Sequence, residues 1–289
     1  MIRNARERHP KDAKVTIRRL TVAMTGLLLI AVAGAALLSY YREVAAEANE
    51  FTEIALLVGT PEATNGVQVT PVPAVLTESS VAPDIVSSPE PTAQEPEIPR
   101  ALERFTELYA QNNELGGWVT IDGTEVNYPV MLTPDDPEKY IQLSFSKKAS
   151  ASGVPFIGEG CTISPRSDNI VLYGHHMKSG AMFAAIVKYQ KKEFLQNHPV
   201  IHFSTLYDEG DYEIFAVLAT DVRKAKALRC YTFLNANDEA DFNDYLAGIR
   251  QASLYDTGVA VAYGDDLLTL STCAYHTNDG RFVIIARRK

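Results

Sequence analysis

The chain has 289 residues, 46% of them hydrophobic and 22% charged, with a formal net charge of −9. That length buries a substantial core, and the ordinary composition excludes a wholly disordered, collagen-like or coiled-coil polypeptide. Three cysteines are too few for a disulfide-stapled mini-domain or a cysteine-rich zinc module.

The charge is unevenly distributed. Residues 1–19 carry a net of +5, residues 20–99 a net of −9, and residues 100–289 a net of −5. The folded region therefore has no basic footprint, and nucleic acid is not an expected partner.

Residues 20–41, LTVAMTGLLLIAVAGAALLSYY, contain no charge. Roughly 20 apolar residues match the thickness of a bilayer's hydrocarbon core when helical. Seven Lys/Arg precede the stretch and Glu43, Glu47, Glu50 and Glu53 follow it. The positive-inside rule then puts residues 1–19 in the cytoplasm and everything after Tyr41 outside, with Tyr40 and Tyr41 at the interface. A cleaved signal peptide with Ala46-Glu47-Ala48 as its site is the competing reading. The apolar stretch is longer than the roughly 15 residues of a typical signal core. Residues 42–99 form an extracytoplasmic linker. Its part from 59 to 99 holds eight prolines, six acids and no Lys or Arg, a composition that cannot build a packed core.

The globular domain occupies 100–289. Leu102, Phe105, Leu108 and Tyr109 recur at helical spacing and predict an opening helix. Strands are predicted at 118–121 and 126–130 around an Asp122-Gly123 turn, then at 154–157, 170–173, 200–203, 212–220, 259–262, 267–273 and 281–286. Helical patterns interrupt them at 181–189 and 238–250. Short strands at this spacing favour a mixed or antiparallel barrel with inserted helices over a parallel βαβ sheet. No glycine-rich phosphate loop follows any strand, so nucleotide binding has no support; no cofactor is expected.

Three stretches bring chemistry to strand ends: Tyr173-Gly174-His175-His176-Met177, Thr269-Leu270-Ser271-Thr272-Cys273, and Gly280-Arg281. A cysteine needs a nearby cation or base to present its thiolate near neutral pH. His175 can supply that partner and then protonate a leaving amine. Arg281 offers fixed donors for a developing oxyanion. Each residue also has a plain structural reading: a packed thiol, a turn histidine, a strand-face arginine. No acid stands at 274–276 to orient a base, and Asp279 reads as a turn residue before Gly280. His176 and His276 compete with His175 as bases. Cys161 and Cys230 lie outside any nucleophile context, and spacing alone does not decide whether they pair.

Taken together, TLSTC at 269–273, Arg281 eight residues on and YGHHM at 173–177 closely resemble the signature of the sortases, cysteine transpeptidases of Gram-positive cell surfaces. GWVTIDGTEVNYPVM (117–131), the helical insertion at 238–250 and the single N-terminal anchor resemble class B members. The similarity covers residues 101–289. It implies an eight-stranded β-barrel, mostly β with inserted helices, preceded by an N-terminal helix, a linker and one transmembrane helix. It further implies that Cys273 attacks the threonine carbonyl of an LPxTG- or NPxTG-like C-terminal sorting motif, with His175 as acid and base and Arg281 on the oxyanion. Tyr173, Ile141, Ser271 and Thr272 are expected to line the substrate groove. The expected partners are surface proteins bearing the motif and, as acceptor, an amine of a peptidoglycan precursor or a pilin. The resemblance places the catalytic histidine directly after Tyr-Gly, which favours His175 over His176 and His276.

Three alternatives are carried. A cysteine hydrolase of the papain kind usually places its cysteine before its histidine, the reverse of the order here. A catalytically silent, membrane-tethered scaffold or adhesin would keep the barrel without the reaction. A metal site on His175, His176 and Cys273 has suitable ligand types but no recognisable zinc spacing, so no metal is expected.

Overall fold

The structure, a computed structural model, describes residues 10–59, 100–273 and 279–289. By its internal contacts the chain divides into residues 1–53 and 54–289. Helix α1, Pro10–Val58, is 49 residues long and accounts for all described residues of the first unit. It does not stop at Tyr41 but continues through the Glu-bearing segment, so the first third of the expected linker is helical. From Leu20 to Leu38 its large apolar side chains are exposed. The helix is long and apolar enough to cross a membrane, a description that an anchor and a signal segment both meet.

The second unit opens with a 3-10 turn, Glu103–Phe105, that leads into α2, Thr106–Gln111. Phe105 and Leu108 are fully buried there, whereas Tyr109 points outward at 40% exposure. Eight strands follow: β1 Leu115–Thr120, β2 Asn127–Met131, β3 Phe156–Ile157, β4 Asn169–Tyr173, β5 Val200–Thr205, β6 Glu209–Asp221, β7 Leu267–Cys273 and β8 Gly280–Arg288. They close into a barrel in the order β1-β2-β3-β4-β7-β8-β6-β5. The barrel is mixed: β2–β3 and β4–β7 are parallel and the remaining pairs antiparallel.

Strand β8 explains how the helices attach. Residues 282–286 are all buried, although a strand with one wet face would alternate. Val283 and Ile285 lie in a second core with α5, Glu239–Ala252, while Phe282 and Ile284 belong to the opposite face of the ladder. Helix α5 buries Phe242, Tyr245, Leu246 and Ile249, spaced i, i+3, i+4, i+7, and Asp238 caps its start by accepting from the Asp241 amide at 2.8 Å. The rings of Phe233 and Tyr245 stack at 3.9 Å within this layer.

Two expectations change. Residues 259–262 are not a strand. The barrel closes without them, and Val259 and Val261 instead cover the α5 core as partly buried residues of a loop. A closed sheet offers no edge for another strand to join. The pattern at 181–189 coils as a 3-10 helix, Phe183–Gln190, following left-handed Met182 at φ 57°. Two six-residue helices also appear that the sequence did not signal, α3 Lys192–Asn197 and α4 Val222–Ala227.

Candidate active site

Strands β4 and β7 run parallel, with Tyr173 opposite Ser271, so their C-terminal ends emerge side by side. Just past that point the chain delivers His175 from one strand and Cys273 from the other. The junction is tied by backbone and side chain: the Gly174 amide donates to the Ser271 carbonyl at 3.2 Å, and the Thr272 hydroxyl donates to the Gly174 carbonyl at 2.6 Å. Gly174 is fixed by close approach, since a Cβ there would lie 2.7 Å from the Phe183 ring. The same packing lets the Phe183 amide donate to the His175 carbonyl at 2.8 Å.

The antiparallel β7–β8 ladder makes Cys273 and Arg281 direct cross-strand partners. Arg281 is half-buried, and its guanidinium donates to the Gly280 carbonyl at 3.0 Å. Asp279, at φ 61° and exposed, serves the turn into β8, where its carbonyl accepts from the Val222 amide at 3.1 Å.

A groove of about 530 Å³ lies over this junction and is lined by His175, Arg281, Tyr173, Ile141, Ser271 and Thr272. Every site residue expected from the sequence is thus brought to one place, Cys273 by its backbone pairing. His176 is not among the lining residues and bridges to Met182 through its backbone. His276 lies outside the described residues. The imidazole Nε2 of His175 is 2.8 Å from the Ile141 carbonyl oxygen.

One wall of the groove is aromatic. Tyr173 stacks on Phe156 at 5.6 Å and tilts against Tyr231 at 5.5 Å. The hydroxyls of Tyr231 and Ser271 are 3.2 Å apart. Burial, reinforced by the neighbouring Tyr231, pushes the Tyr173 phenol above its ordinary pKa, so it stays neutral. Phe156 and Tyr231 escaped the sequence reading: Tyr231 sits in an irregular segment with no periodicity to mark a face. Asp136, Glu138 and Glu159 add exposed carboxylates at the groove's rim.

Cys161 and Cys230 are both free and buried. The Cys161 thiol takes a place in the backbone network beside β4, accepting from the Val171 amide at 3.4 Å. Burial pushes Cys230 up to about 12 and raises Cys161 as well. Among the described residues no cluster of three or more His, Cys, Asp or Glu is arranged to hold a metal ion.

The family model for the sortase domain matches residues 119–289. Sortase B of Listeria monocytogenes is 32% identical over 184 residues, which cover 63% of this chain and 72% of the relative. Sortase B of Staphylococcus aureus is 27% identical over 186 residues, covering 64% and 74%. Among solved structures, a Staphylococcus aureus sortase B–substrate complex superposes with a TM-score of 0.60 at 26% identity, spanning 66% of this chain and 86% of that one. Sortase B from Bacillus anthracis superposes at 0.58 with 30% identity, spanning 65% and 87%. With the barrel, the paired strand ends and these relatives in agreement, the chain belongs to the sortase family of cysteine transpeptidases, and it resembles the class B members.

Proposed function

We propose that the protein is a membrane-anchored sortase that cleaves an LPxTG- or NPxTG-like sorting motif after its threonine and transfers the surface protein to an amine. In this reading residues 1–19 are cytoplasmic, 20–41 span the membrane, 42–99 hold the domain away from it, and 100–289 carry out catalysis on the extracellular side. The observation that carries the chemistry is the pairing of Cys273 with Arg281 at the end of β7, beside the β4 end that delivers His175.

The Cys273 thiol passes its proton to His175 as its sulfur attacks the threonine carbonyl carbon, and the oxyanion that forms is held by the Arg281 guanidinium. As the C–N bond breaks, His175 gives a proton to the departing amine and leaves a thioacyl-enzyme. An incoming amine from a peptidoglycan precursor or a pilin lysine then attacks the thioester, giving its proton back to His175 while the Cys273 thiolate leaves. Tyr173, Ile141, Ser271 and Thr272 hold the motif's side chains against the aromatic wall. A solved structure of a Staphylococcus aureus relative is a sortase B–substrate complex, which supports a substrate-binding role for this fold.

The test uses the full-length chain in detergent micelles, incubated with a panel of sorting-motif peptides, with and without a glycine-peptide amine. Intact-mass spectrometry is expected to find the N-terminal peptide half on Cys273, discharged by the amine into a ligated product, and no adduct in Cys273→Ala. Cleavage that ignores the amine identifies a hydrolase instead. A folded enzyme that forms no adduct with any peptide overturns the motif assignment.

A further inference from the structure

The sequence offers no acid to orient the histidine, yet the structure supplies an orienting group of another kind. A carbonyl oxygen carries no proton, so across the 2.8 Å contact between His175 Nε2 and the Ile141 oxygen the ring is the donor. A neutral imidazole has a single N–H, so Nδ1 is then the nitrogen with the free lone pair.

The carbonyl is held firmly. Ile141 ends a 3-10 turn, Lys139–Ile141, whose central Tyr140 is fully buried. The Tyr140 hydroxyl donates to Glu114 at 2.6 Å and accepts from the Asn112 side-chain amide at 2.7 Å. Lys139 reaches the other Glu114 oxygen at 2.6 Å, and the Val154 amide donates to the Tyr140 carbonyl at 3.0 Å. Gly153 closes the arrangement. It sits at φ 60°, where a Cβ would fall 2.6 Å from both the Tyr140 and the Ile141 oxygens. Only glycine fits there without displacing the carbonyl that His175 uses.

We infer that Ile141, through its backbone oxygen, and Gly153 are positioning residues that fix His175 with its proton on Nε2 and leave Nδ1 to exchange protons in the reaction. The inference rests on the catalytic role proposed above for His175. It gives the backbone the task that a carboxylate performs in a Ser-His-Asp triad.

The test is a long-range proton–nitrogen correlation spectrum of the full chain, labelled with ¹⁵N-histidine in detergent micelles, with His175→Gln to assign the signal. The neutral ring is expected as the Nε2–H tautomer, and an Nδ1–H ring overturns the inference. Gly153→Ala is expected to mix the tautomers and slow thioacyl formation about ten- to hundred-fold, with the peptide KM unchanged. A folded Gly153→Ala enzyme that keeps both the tautomer and kcat also overturns it. Should that variant not fold, the spectrum of the unmodified chain decides alone. His175→Ala separates the two claims: retained adduct formation removes the catalytic assignment itself, whereas an inactive variant alongside an Nδ1–H ring removes only the positioning role.

Discussion

The Thr272 hydroxyl donates to the Gly174 carbonyl across 2.6 Å, joining the strand that ends at Cys273 to the turn that presents His175. Thr272 is 2% exposed, so the bond is shielded from competing water. Thr272→Val keeps the shape and removes the donor, leaving a carbonyl unpaired beside the site. We expect a loss of about 1–2 kcal/mol in stability, read from the melting transition, together with slower thioacyl formation.

Arg281 is the register partner of Cys273 in the β7–β8 ladder. Removing its donors by Arg281→Ala is expected to slow thioacyl formation by about 100-fold or more, the usual cost of losing an oxyanion donor. Arg281→Lys restores the charge but not the planar fork, so most of the rate stays lost. Single-turnover kinetics with a sorting-motif peptide checks both variants. Full recovery in the lysine variant would mean that charge alone suffices.

Glu114 gives the loop behind Ile141 a dependence on pH. Its partial burial works to raise the pKa, but hydrogen bonds from Lys139, Tyr140 and Lys147 outweigh that effect and hold it at about 2, against 4.5 for an ordinary glutamate. The folded state thus binds this proton less readily than the unfolded one. The carboxylate's contribution is fully present above pH 4.5 and is lost as the pH falls toward 2. Glu114→Gln is expected to melt lower than the unmodified chain at neutral pH, with the gap closing across that acid range. Melting temperatures of both proteins at stepped pH values check this.

Cys161 and Cys230 are buried thiols with raised pKa values. At neutral pH iodoacetamide is expected to label Cys273 quickly and the other two only after unfolding. Peptide mapping of a labelling time course reads this directly. Rapid labelling of Cys230 in folded protein would contradict its place in the α5 core.

Much of the barrel was legible because its strands are runs of apolar, β-branched residues closed by turns, as in Ile170–Tyr173 and Leu267–Cys273. Helix α5 showed a full four-residue apolar stripe, whereas α3 and α4 make fewer than two turns, too short to display a period. Residues 259–262 alternate like a strand, but their alternation reflects one side resting on α5 rather than a place in a ladder. The candidate residues Cys273, His175 and Arg281 could be singled out because their side-chain types suit the proposed chemistry, and the fold places their backbones at neighbouring strand ends. The Ile141 carbonyl could not, because every residue has such an oxygen, and only folding selects the one 34 positions before the histidine.

The parallel pairing of β4 with β7 also has a consequence in time. It joins segments nearly a hundred residues apart, as the 98-residue separation between Thr272 and Gly174 shows. Contacts of such long range form slowly, since the intervening chain must first lose its freedom. While a nascent chain still lacks residues 267–288, Tyr173-Gly174-His175 has β3 on one side but not the β7 strand on the other. The strand ends that carry His175 and Cys273 therefore come together only when the final two strands close the barrel.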